Sequence, residues 1–416
     1  MTKAHQRRGL GLALILGVVT ALAMASPMTA SAAPSVSAAP TAAPCNISGQ
    51  QVSSSGHGHH LSGIIIAGGI STNSGGCHKP PPEPAYNGTP PLLFNGASAA
   101  NCVFSPCDNG NVMMTASTGP LVVVPIFWVP SGYSMSASYK SILNSYVADV
   151  AKDSGGTQNV FSVANEYYGN NGQIHYNVKL GPVLTDTSPI TSGCTLEAAD
   201  TTGIYADGSG YSACVDDPQL QAEVDSVTAA KKLPHDLSHI YVLYLPKGVE
   251  SCFLPGETAT VGPNGQFCTI NHQETAAYCA YHSTDLNSAV YANMAYPIYA
   301  SPVGFTCGSD ARFPVIESPN GNPDADTQVS PLSHELNEAL TDPDTETGWY
   351  DSHGFENGDE CAYIFGQTRG AVGGYYNQVI NGGHFLTQEE FTNKVFNASG
   401  GKAGCVQSQS AEQSAA

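Results

Sequence analysis

The chain has 416 residues and is strongly acidic, with 34 Asp and Glu against 14 Lys and Arg and a formal net charge of −20. A surface of that charge repels nucleic acid and anionic membranes, so we expect neither as a partner. Lys and Arg are scarce while Gly is plentiful, at 44 residues, which favours a loop-rich extracellular protein.

The N-terminus has the pattern of a secretory signal peptide. Three basic residues precede an apolar run from Leu10 to about Ala25, and Ala-Ser-Ala at 30–32 offers small residues for cleavage. The apolar run is too short for a membrane span that is retained. We therefore predict secretion and removal of residues 1–32, which leaves 11 Lys and Arg against 34 Asp and Glu, a net charge of −23.

Residues 33–119 are rich in Ala, Ser, Gly and Pro, and this composition predicts a flexible N-terminal arm. The Pro-rich segment 78–92 is typical of an extended, polyproline-like chain. We interpret the histidine cluster at 57–60 as a solvated part of the arm and not as a metal site, because a short run of histidines reflects composition and does not define ligand geometry.

Periodic patterns begin after residue 120 and predict one domain over residues 120–406. Apolar runs or strict alternation predict strands, and apolar residues three and four apart predict helices. The predicted elements are, in chain order, a strand at 121–129, helices at 136–153 and 157–169, a strand at 172–184, a helix at 217–233, strands at 239–246 and 288–300, and a helix from about 326 to 341. This mixed order predicts an α/β (α+β) fold. The polar residues 407–416 predict a disordered tail.

The chain contains twelve cysteines, an even number in a secreted protein, which predicts disulfides. Pairing neighbours along the sequence predicts the bridges Cys45–Cys77, Cys102–Cys107, Cys194–Cys214, Cys252–Cys268, Cys279–Cys307 and Cys361–Cys405. No Cys-x-x-Cys pair occurs, which argues against a cysteine zinc site. We therefore expect the cysteines to staple the fold, each bridge contributing roughly 2–4 kcal/mol.

The segment LSHELNEALTDP (332–343) resembles the zinc-binding helix of metalloproteases, with Glu338 in place of the second histidine. His334 and Glu338 are four residues apart, so they lie side by side on one helix face and can reach one ion. Glu335 is rotated by about a hundred degrees, where that motif places the carboxylate that activates water. Composition alone gives about 0.09 chance occurrences of this His-acid-x-x-acid pattern, so a solvated helix is the weaker interpretation.

A metal held by this pair needs a third ligand, and three acidic residues downstream can supply it. Glu356 and Asp359 follow His334 by 22 and 25 residues, which leaves room for a turn and a return to the site. Asp344 follows His334 by ten residues, which is the interval found in the metzincin class of metalloproteases. Thr341, however, occupies the position where that class has a turning Gly. We rank Glu356 first, Asp359 second and Asp344 third.

The same region resembles the phosphate-induced, Exordium-like secreted proteins and their bacterial relatives. That family carries a His-Glu-x-x-Glu helix, then Asn/Asp-Pro, then Trp-Tyr, then Glu-x-Gly-Asp-x-Cys. The matching positions are His334, Glu335, Glu338, Asp342, Pro343, Trp349, Tyr350, Glu356, Gly358, Asp359 and Cys361. Further similarity at 278–283, 319–321 and 375–393 extends the resemblance over about 120–406. It implies that Glu338 is the family's own residue at this position.

The resemblance also implies a zincin-like, disulfide-stapled domain in an extracellular protein, with association to the cell wall as one expectation. Zn²⁺ is the expected cofactor, although one imidazole with two carboxylates makes Ca²⁺ or Mn²⁺ more competitive. An anionic ligand set weakens the Lewis acidity of the metal, so a catalytic site needs a hydrogen-bonding helper. His282 and Tyr350 are the candidates; their alternatives are a structural histidine and a packed aromatic residue.

Three functional hypotheses follow. The leading one is a secreted metallohydrolase, a peptidase acting on peptide or protein substrates, in which Glu335 is partly exposed in a cleft and moves a proton from water to the leaving amine. The rival is a non-catalytic extracellular protein whose structural metal is closed off by protein ligands. The third is a carbohydrate-modifying enzyme with Glu335 and Glu338 as paired carboxylates.

Overall fold

The computed structural model describes residues 64–66, 68–69, 91–94, 110–253, 267–270, 278–299, 305–345, 347–351 and 354–415. The predicted signal peptide at 1–32, the histidine cluster at 57–60 and the predicted bridges Cys45–Cys77 and Cys102–Cys107 lie outside the described residues. Within the described ranges, no helix is both long and apolar enough to cross a membrane.

Short and long strands alternate with helices along the described chain. The strands are β1 (Ile64–Ile66), β2 (Gly68–Gly69), β3 (Leu93–Phe94), β4 (Leu121–Trp128), β5 (Tyr168–Gly169), β6 (Gly172–Gln173), β7 (Val178–Leu180), β8 (Leu184–Asp186), β9 (Ala213–Asp216), β10 (His239–Tyr244), β11 (Val249–Phe253), β12 (Phe267–Cys268), β13 (Tyr278–Thr284), β14 (Val290–Met294), β15 (Phe305–Thr306), β16 (Trp349–Tyr350), β17 (Gln378–Ile380), β18 (Gly383–Phe385), β19 (Glu390–Phe391) and β20 (Cys405–Val406). The α-helices are α1 (Ala137–Lys152), α2 (Asp217–Lys231), α3 (Pro323–Thr341), α4 (Asn393–Ser399) and α5 (Gln409–Ala415), and short 3₁₀ helices lie at Val160–Glu166, Ala198–Thr201, Ser309–Ala311 and Asp359–Cys361. This mixture confirms the predicted α+β class.

A seven-stranded mixed sheet forms the centre of the domain, in the order β1-β13-β14-β10-β4-β7, with β8 also paired to β4. Strands β4, β7, β8, β10 and β14 pair in parallel, whereas β13 pairs antiparallel with both β1 and β14. β4 and β10 are nearly continuous apolar runs, as expected of strands covered on both faces. They confirm the strands predicted at 121–129 and 239–246, and β14 confirms part of the strand predicted at 288–300.

Helices cover both faces of this sheet. On β4, Val123 and Phe127 pack in one hydrophobic cluster with side chains of α1 and α3, while Val124 and Ile126 pack in a second cluster with side chains of α2. Successive side chains of a strand point to opposite faces, so the two clusters are the two faces of the sheet. The helix α3 therefore lies on the face opposite α2.

The termini of α1 and α2 follow from capping residues. The Ser136 side chain accepts a hydrogen bond from the Tyr139 amide at 3.1 Å and starts α1. Asp216 and Gln219 form a reciprocal capping box that starts α2. These helices confirm the predictions at 136–153 and 217–233.

The helix α3 begins earlier than predicted. The Asn322 side chain accepts from the Ala325 amide at 3.2 Å, and Pro323 occupies the first helical position, where its missing N–H costs nothing. The sequence prediction placed the cap near residue 326 because it favoured an acidic or hydroxyl residue. The end at Thr341, directly before Asp342 and its following proline, is as predicted.

Two predicted elements are replaced by shorter ones. The segment 157–169 forms a 3₁₀ helix and the strand β5 instead of an α-helix, because Asn159 caps a tight turn through the Phe161 amide and β5 closes a hairpin with β6. The strand predicted at 172–184 is divided into β6, β7 and β8. Gly181 lies where a side chain would meet the methyl groups of β4, and the Pro182 that follows cannot donate a backbone hydrogen bond.

The domain extends beyond both predicted boundaries. The strands β1, β2 and β3 pair with β13, β15 and β16, and Val112, Met113 and Met114 are buried in the core. The arm predicted over 33–119 therefore contributes to the domain, through pieces too short to show periodicity. The predicted disordered tail is also corrected: Gln409–Ala415 form α5, held by a salt bridge of 2.7 Å between Lys394 Nζ and Glu412 Oε1.

Four of the predicted disulfides are confirmed, and each joins two cysteines that are neighbours among the cysteines of the sequence, 16 to 44 residues apart. The confirmed bridges are Cys194–Cys214, Cys252–Cys268, Cys279–Cys307 and Cys361–Cys405. The last of these ties the 3₁₀ helix Asp359–Cys361 to the strand β20, 44 residues later in the chain.

Candidate metal centre

The helix α3 is buried on almost every side, including its polar face. Its apolar residues Leu332, Leu336, Ala339 and Leu340 anchor it in the main core. Its polar side chains Ser333, His334, Glu335, Asn337, Glu338 and Thr341 are each 0% exposed. Burying charged groups is expensive unless they are paired or bound to an ion, so this face requires partners from other elements.

The first group of partners comprises His334, Glu338 and Asp359. His334 Nε2 lies 2.9 Å from Glu338 Oε1, one helical turn away, and 3.5 Å from Asp359 Oδ1. The Asp359 amide donates to Glu338 Oε1 at 2.9 Å, which fixes that carboxylate. One potential ligand atom from each of the three residues lies within 4.8 Å of the others, a spacing that suits a shared cation.

The loop before Asp359 reaches the helix because glycine occupies position 358. A Cβ atom there would lie 2.8 Å from both His334 Nδ1 and Glu338 Oε1, closer than side chains pack. The bridge Cys361–Cys405 holds the loop from the other side. Gly358 thus lets the loop pack closely against α3, and Cys361 holds the loop in that position.

A second group comprises His282, Glu335 and Glu338, with Glu338 common to both. His282 Nδ1 lies 3.3 Å from Glu335 Oε2 and 3.7 Å from Glu338 Oε2. His282 Nε2 lies 3.0 Å from the carbonyl oxygen of Asp342, which can only accept, so Nε2–H donates. A single proton between Nδ1 and the Glu335 carboxyl group then completes the hydrogen bond between these two residues.

The contacts of Glu356 and Asp359 differ from the ranking of these two residues as candidate third ligands in the sequence. Glu356 Oε1 lies 3.8 Å from His282 Nε2, whereas Asp359 stands beside His334. Asp344, the third candidate, is in neither group of potential ligands among the described residues. The geometry therefore favours Asp359 over Glu356 and Asp344 as the third member of the set that contains His334.

Two other expectations concern Tyr350 and Glu335. Tyr350 is half-buried on β16, in register with Leu93 of β3, and its suggested role as a donor to an oxyanion stays a prediction. The expectation that Glu335 is partly exposed was wrong, since it is 0% exposed. Glu335 is enclosed because α3 packs against β13, which carries His282.

Burial dominates the protonation of this cluster. It raises the pKa of Glu335 to about 7 and, together with Glu338, raises the pKa of Asp359 to about 7. It also raises the pKa of Glu356 well above its ordinary value. Burial opposes a charge on His334, but Glu338 and Asp359 outweigh it and raise the pKa of that imidazole. Each shift reduces the excess of negative charge, which a bound cation would also do.

Several polar atoms of the cluster are fully buried without a hydrogen-bond partner. They are Nδ1 and Nε2 of His334, Oε1 of Glu335, Oε2 of Glu338, and both carboxylate oxygens of Glu356. Buried polar atoms are nearly always paired, and a cation bound among them is one of the few explanations for several unpaired atoms in one place. The residues present therefore fit a divalent cation.

Sequence reasoning missed Glu390 as a member of this charged cluster. Glu390 is fully buried on β19, and its Oε2 accepts from Asn357 Nδ2 at 2.8 Å. Burial raises its pKa, and the charges of His334 and Glu338 act on it. It lies inside the segment 375–393 that supports the family resemblance, but no motif within that segment distinguishes it.

Most of the chain is similar to one known protein family. The family model described as "Phosphate-induced protein 1 conserved region" matches residues 140–404. No curated protein and no solved structure matches the chain. The matched range contains α3, His282 and the loop that carries Asp359. Together with the four disulfides, it is consistent with a secreted protein, and the chain belongs to the phosphate-induced protein 1 family, as its Exordium-like motifs predicted.

Proposed function

We propose that the chain is a secreted, zincin-like metallohydrolase that cleaves peptide bonds, with a divalent cation, Zn²⁺ first and Ca²⁺ or Mn²⁺ as alternatives, held by His334, Glu338 and Asp359. Bonds of about 2.0–2.2 Å to zinc place tetrahedral ligands about 3.3 Å from one another. The observed 2.9 and 3.5 Å separations from His334 Nε2 agree with that spacing. Three protein ligands is also the number typical of catalytic zinc.

The observation that carries the proposal is the position of Glu335 beside this set. When bound, a cation in this set would supply Lewis acidity toward a substrate carbonyl. Glu335 has a pKa of about 7, so it can accept a proton from water and release it to a leaving amine near neutral pH. His282 holds the Glu335 carboxyl group from 3.3 Å and is itself fixed by the Asp342 carbonyl.

Full burial favours a second candidate, a non-catalytic extracellular or cell-wall-associated protein with a structural metal. Structural sites are closed by protein ligands, whereas catalytic sites keep a position open to substrate. His334, Glu335 and Glu338 are 0% exposed, which agrees with a closed site.

The carbohydrate hypothesis is disfavoured by the same geometry. Glu335 and Glu338 are both 0% exposed, whereas this chemistry requires the two carboxyl groups to line a groove wide enough for a sugar.

Digestion of a broad peptide library with metal-loaded protein tests the proposal. The Glu335→Gln variant keeps the shape of the side chain but cannot accept the proton, so we expect unchanged folding and metal content with no cleavage. The His334→Ala variant should lose both metal and cleavage, because a ligand is removed. If the wild type cleaves nothing that Glu335→Gln leaves intact, the hydrolase proposal is rejected and the structural-metal candidate replaces it.

A further inference from the structure

A second cluster of potential ligands shares no residue with the cluster on α3. It comprises Asp225 on α2, His235 in the loop after α2, and Asp285 in the turn between β13 and β14. One potential ligand atom from each lies within 4.8 Å of the others. None of the three takes part in the function proposed above.

Asp285 is the buried member of this cluster, at 2% exposure. Its Oδ1 accepts from the amides of Asn287 and Ala289, each at 2.8 Å, so that oxygen is satisfied and the side chain is fixed by its own turn. Its Oδ2 is buried without a hydrogen-bond partner. A buried carboxylate oxygen without a partner beside two other metal-ligating side chains indicates a cation.

Asp225 repeats this pattern from the side of α2. Its Oδ2 accepts from Asn287 Nδ2 at 2.5 Å, whereas its Oδ1 is buried without a hydrogen-bond partner. Each of the two aspartates thus uses one oxygen to hold the turn at Asn287 and keeps the other oxygen unused. Two such oxygens close together repel each other unless a proton or a cation lies between them.

The two ring nitrogens of His235 have different surroundings. The Thr228 hydroxyl lies 2.8 Å from the Val224 carbonyl oxygen, to which it can donate its only proton, so it accepts from His235 Nε2–H at 2.8 Å. His235 Nδ1 lies 3.1 Å from the Asn287 carbonyl oxygen and 3.8 Å from Asp225 Oδ1. The carbonyl oxygen can only accept, so the space between it and Nδ1 holds either a proton that Nδ1 donates or a cation that both atoms bind.

We propose that Asp225, His235, Asp285 and the Asn287 carbonyl oxygen form a second cation site. One imidazole nitrogen with three oxygens suits a divalent transition metal such as Mn²⁺ or Zn²⁺, because imidazole disfavours Ca²⁺ and Mg²⁺. The side chains of His235 and Asp225 are 21% and 31% exposed, so the ion exchanges with solvent. A cation here ties the C-terminal half of α2 to the β13–β14 turn, and the site is independent of the proposed hydrolase.

Metal counting on the intact chain tests this site. Protein stripped with chelator is dialysed against Mn²⁺ or Zn²⁺, and bound metal is measured by mass spectrometry. We expect the Asp285→Asn and Asp225→Asn variants each to bind one equivalent less than wild type, with affinity at the site reduced more than about tenfold, since even loss of an outer-shell partner costs about 10–100-fold. Asp236→Asn, an exposed neighbour of His235 with the same change of charge, is the matched control.

A thermal melt separates loss of the site from loss of the fold. Added metal should raise the melting temperature of the Asp236→Asn control more than that of Asp285→Asn, while the two variants should retain the same circular dichroism in chelator. Equal metal content and equal metal-dependent shifts of the melting temperature in all three variants would overturn the proposal. A proton would then occupy the place assigned to the cation among Asp225, His235 and Asp285. Metal bound at the centre on α3 does not affect this comparison, because His334, Glu338 and Asp359 are intact in each variant.

Discussion

Gly358 and His334 are in such close contact that a Cβ atom on Gly358 would lie 2.8 Å from His334 Nδ1. Glycine is needed here for space, since its backbone angle, φ −74°, is open to any residue. The contact explains how a loop outside α3 brings Asp359 to a buried helix face.

The Gly358→Ala substitution should therefore damage the metal centre. We expect a loss of about 1–3 kcal/mol in the free energy of unfolding, as in other overpacked cores, together with weaker metal binding. The control is Gly374→Ala, because a Cβ there meets only the Ala371 carbonyl oxygen at 3.8 Å. Chemical denaturation and metal analysis give the two readouts, and equal behaviour of both variants would contradict the assigned contact.

The identity of the third ligand can be tested by removing one carboxylate at a time. Asp359→Asn should remove one metal equivalent at micromolar metal, because Asp359 Oδ1 is 3.5 Å from His334 Nε2. Glu356→Gln should keep that metal, since the contact of Glu356 is with His282. Metal retained by the Asp359 variant and lost from the Glu356 variant would restore the order that the sequence suggested.

Removal of metal should lower the free energy of unfolding by an amount that grows with the logarithm of the metal's affinity. A ligand present at one hundred times its dissociation constant stabilises the native state by about 2.7 kcal/mol. Chelator should thus lower the melting temperature of the wild type by several degrees. The combined variant His334→Ala and Asp285→Asn, which lacks a ligand at each proposed site, should show no such shift; a full shift in that variant would place the metal elsewhere.

The bridge Cys361–Cys405 should support metal binding as well as folding. Replacing both cysteines with serine should cost about 2–5 kcal/mol and weaken metal binding, because the bridge anchors the loop that carries Asp359. Replacing Cys194 and Cys214 should destabilise the chain without changing its metal affinity. Denaturation and competitive chelation measure the two effects, and equal metal affinities in both double variants would argue against the anchoring role.

Glu223 should make stability depend on pH. Burial, with the neighbouring Asp186 carboxylate, raises the pKa of Glu223 to about 8, against 4.5 for an unperturbed Glu. The folded state therefore keeps a proton that the unfolded chain releases, so this residue's contribution to stability is lost as pH rises from about 4.5 to about 8. Glu223→Gln removes the effect. We expect its melting temperature to exceed that of the wild type increasingly over this range; a constant difference would contradict the shifted pKa.

The sequence alone determined the local features of this protein. The helices α1 and α2 carry their own caps, the strands β4 and β10 are continuous apolar runs, and neighbouring cysteines form the four described disulfides. The spacing of His334 and Glu338 on a single helix also follows from helical periodicity, without any tertiary contact.

Only the tertiary structure decided which distant residues join that pair. Asp359 rather than Glu356 lies beside His334 because Gly358 allows the loop to approach and Cys405 holds it there, and neither effect has a periodic signature in the sequence. Glu390 and the cluster of Asp225, His235 and Asp285 are likewise assembled by packing between elements far apart in the chain. The enclosure of Glu335 has the same origin, since burial depends on what packs over a helix face, whereas sequence spacing determines only which side chains share that face.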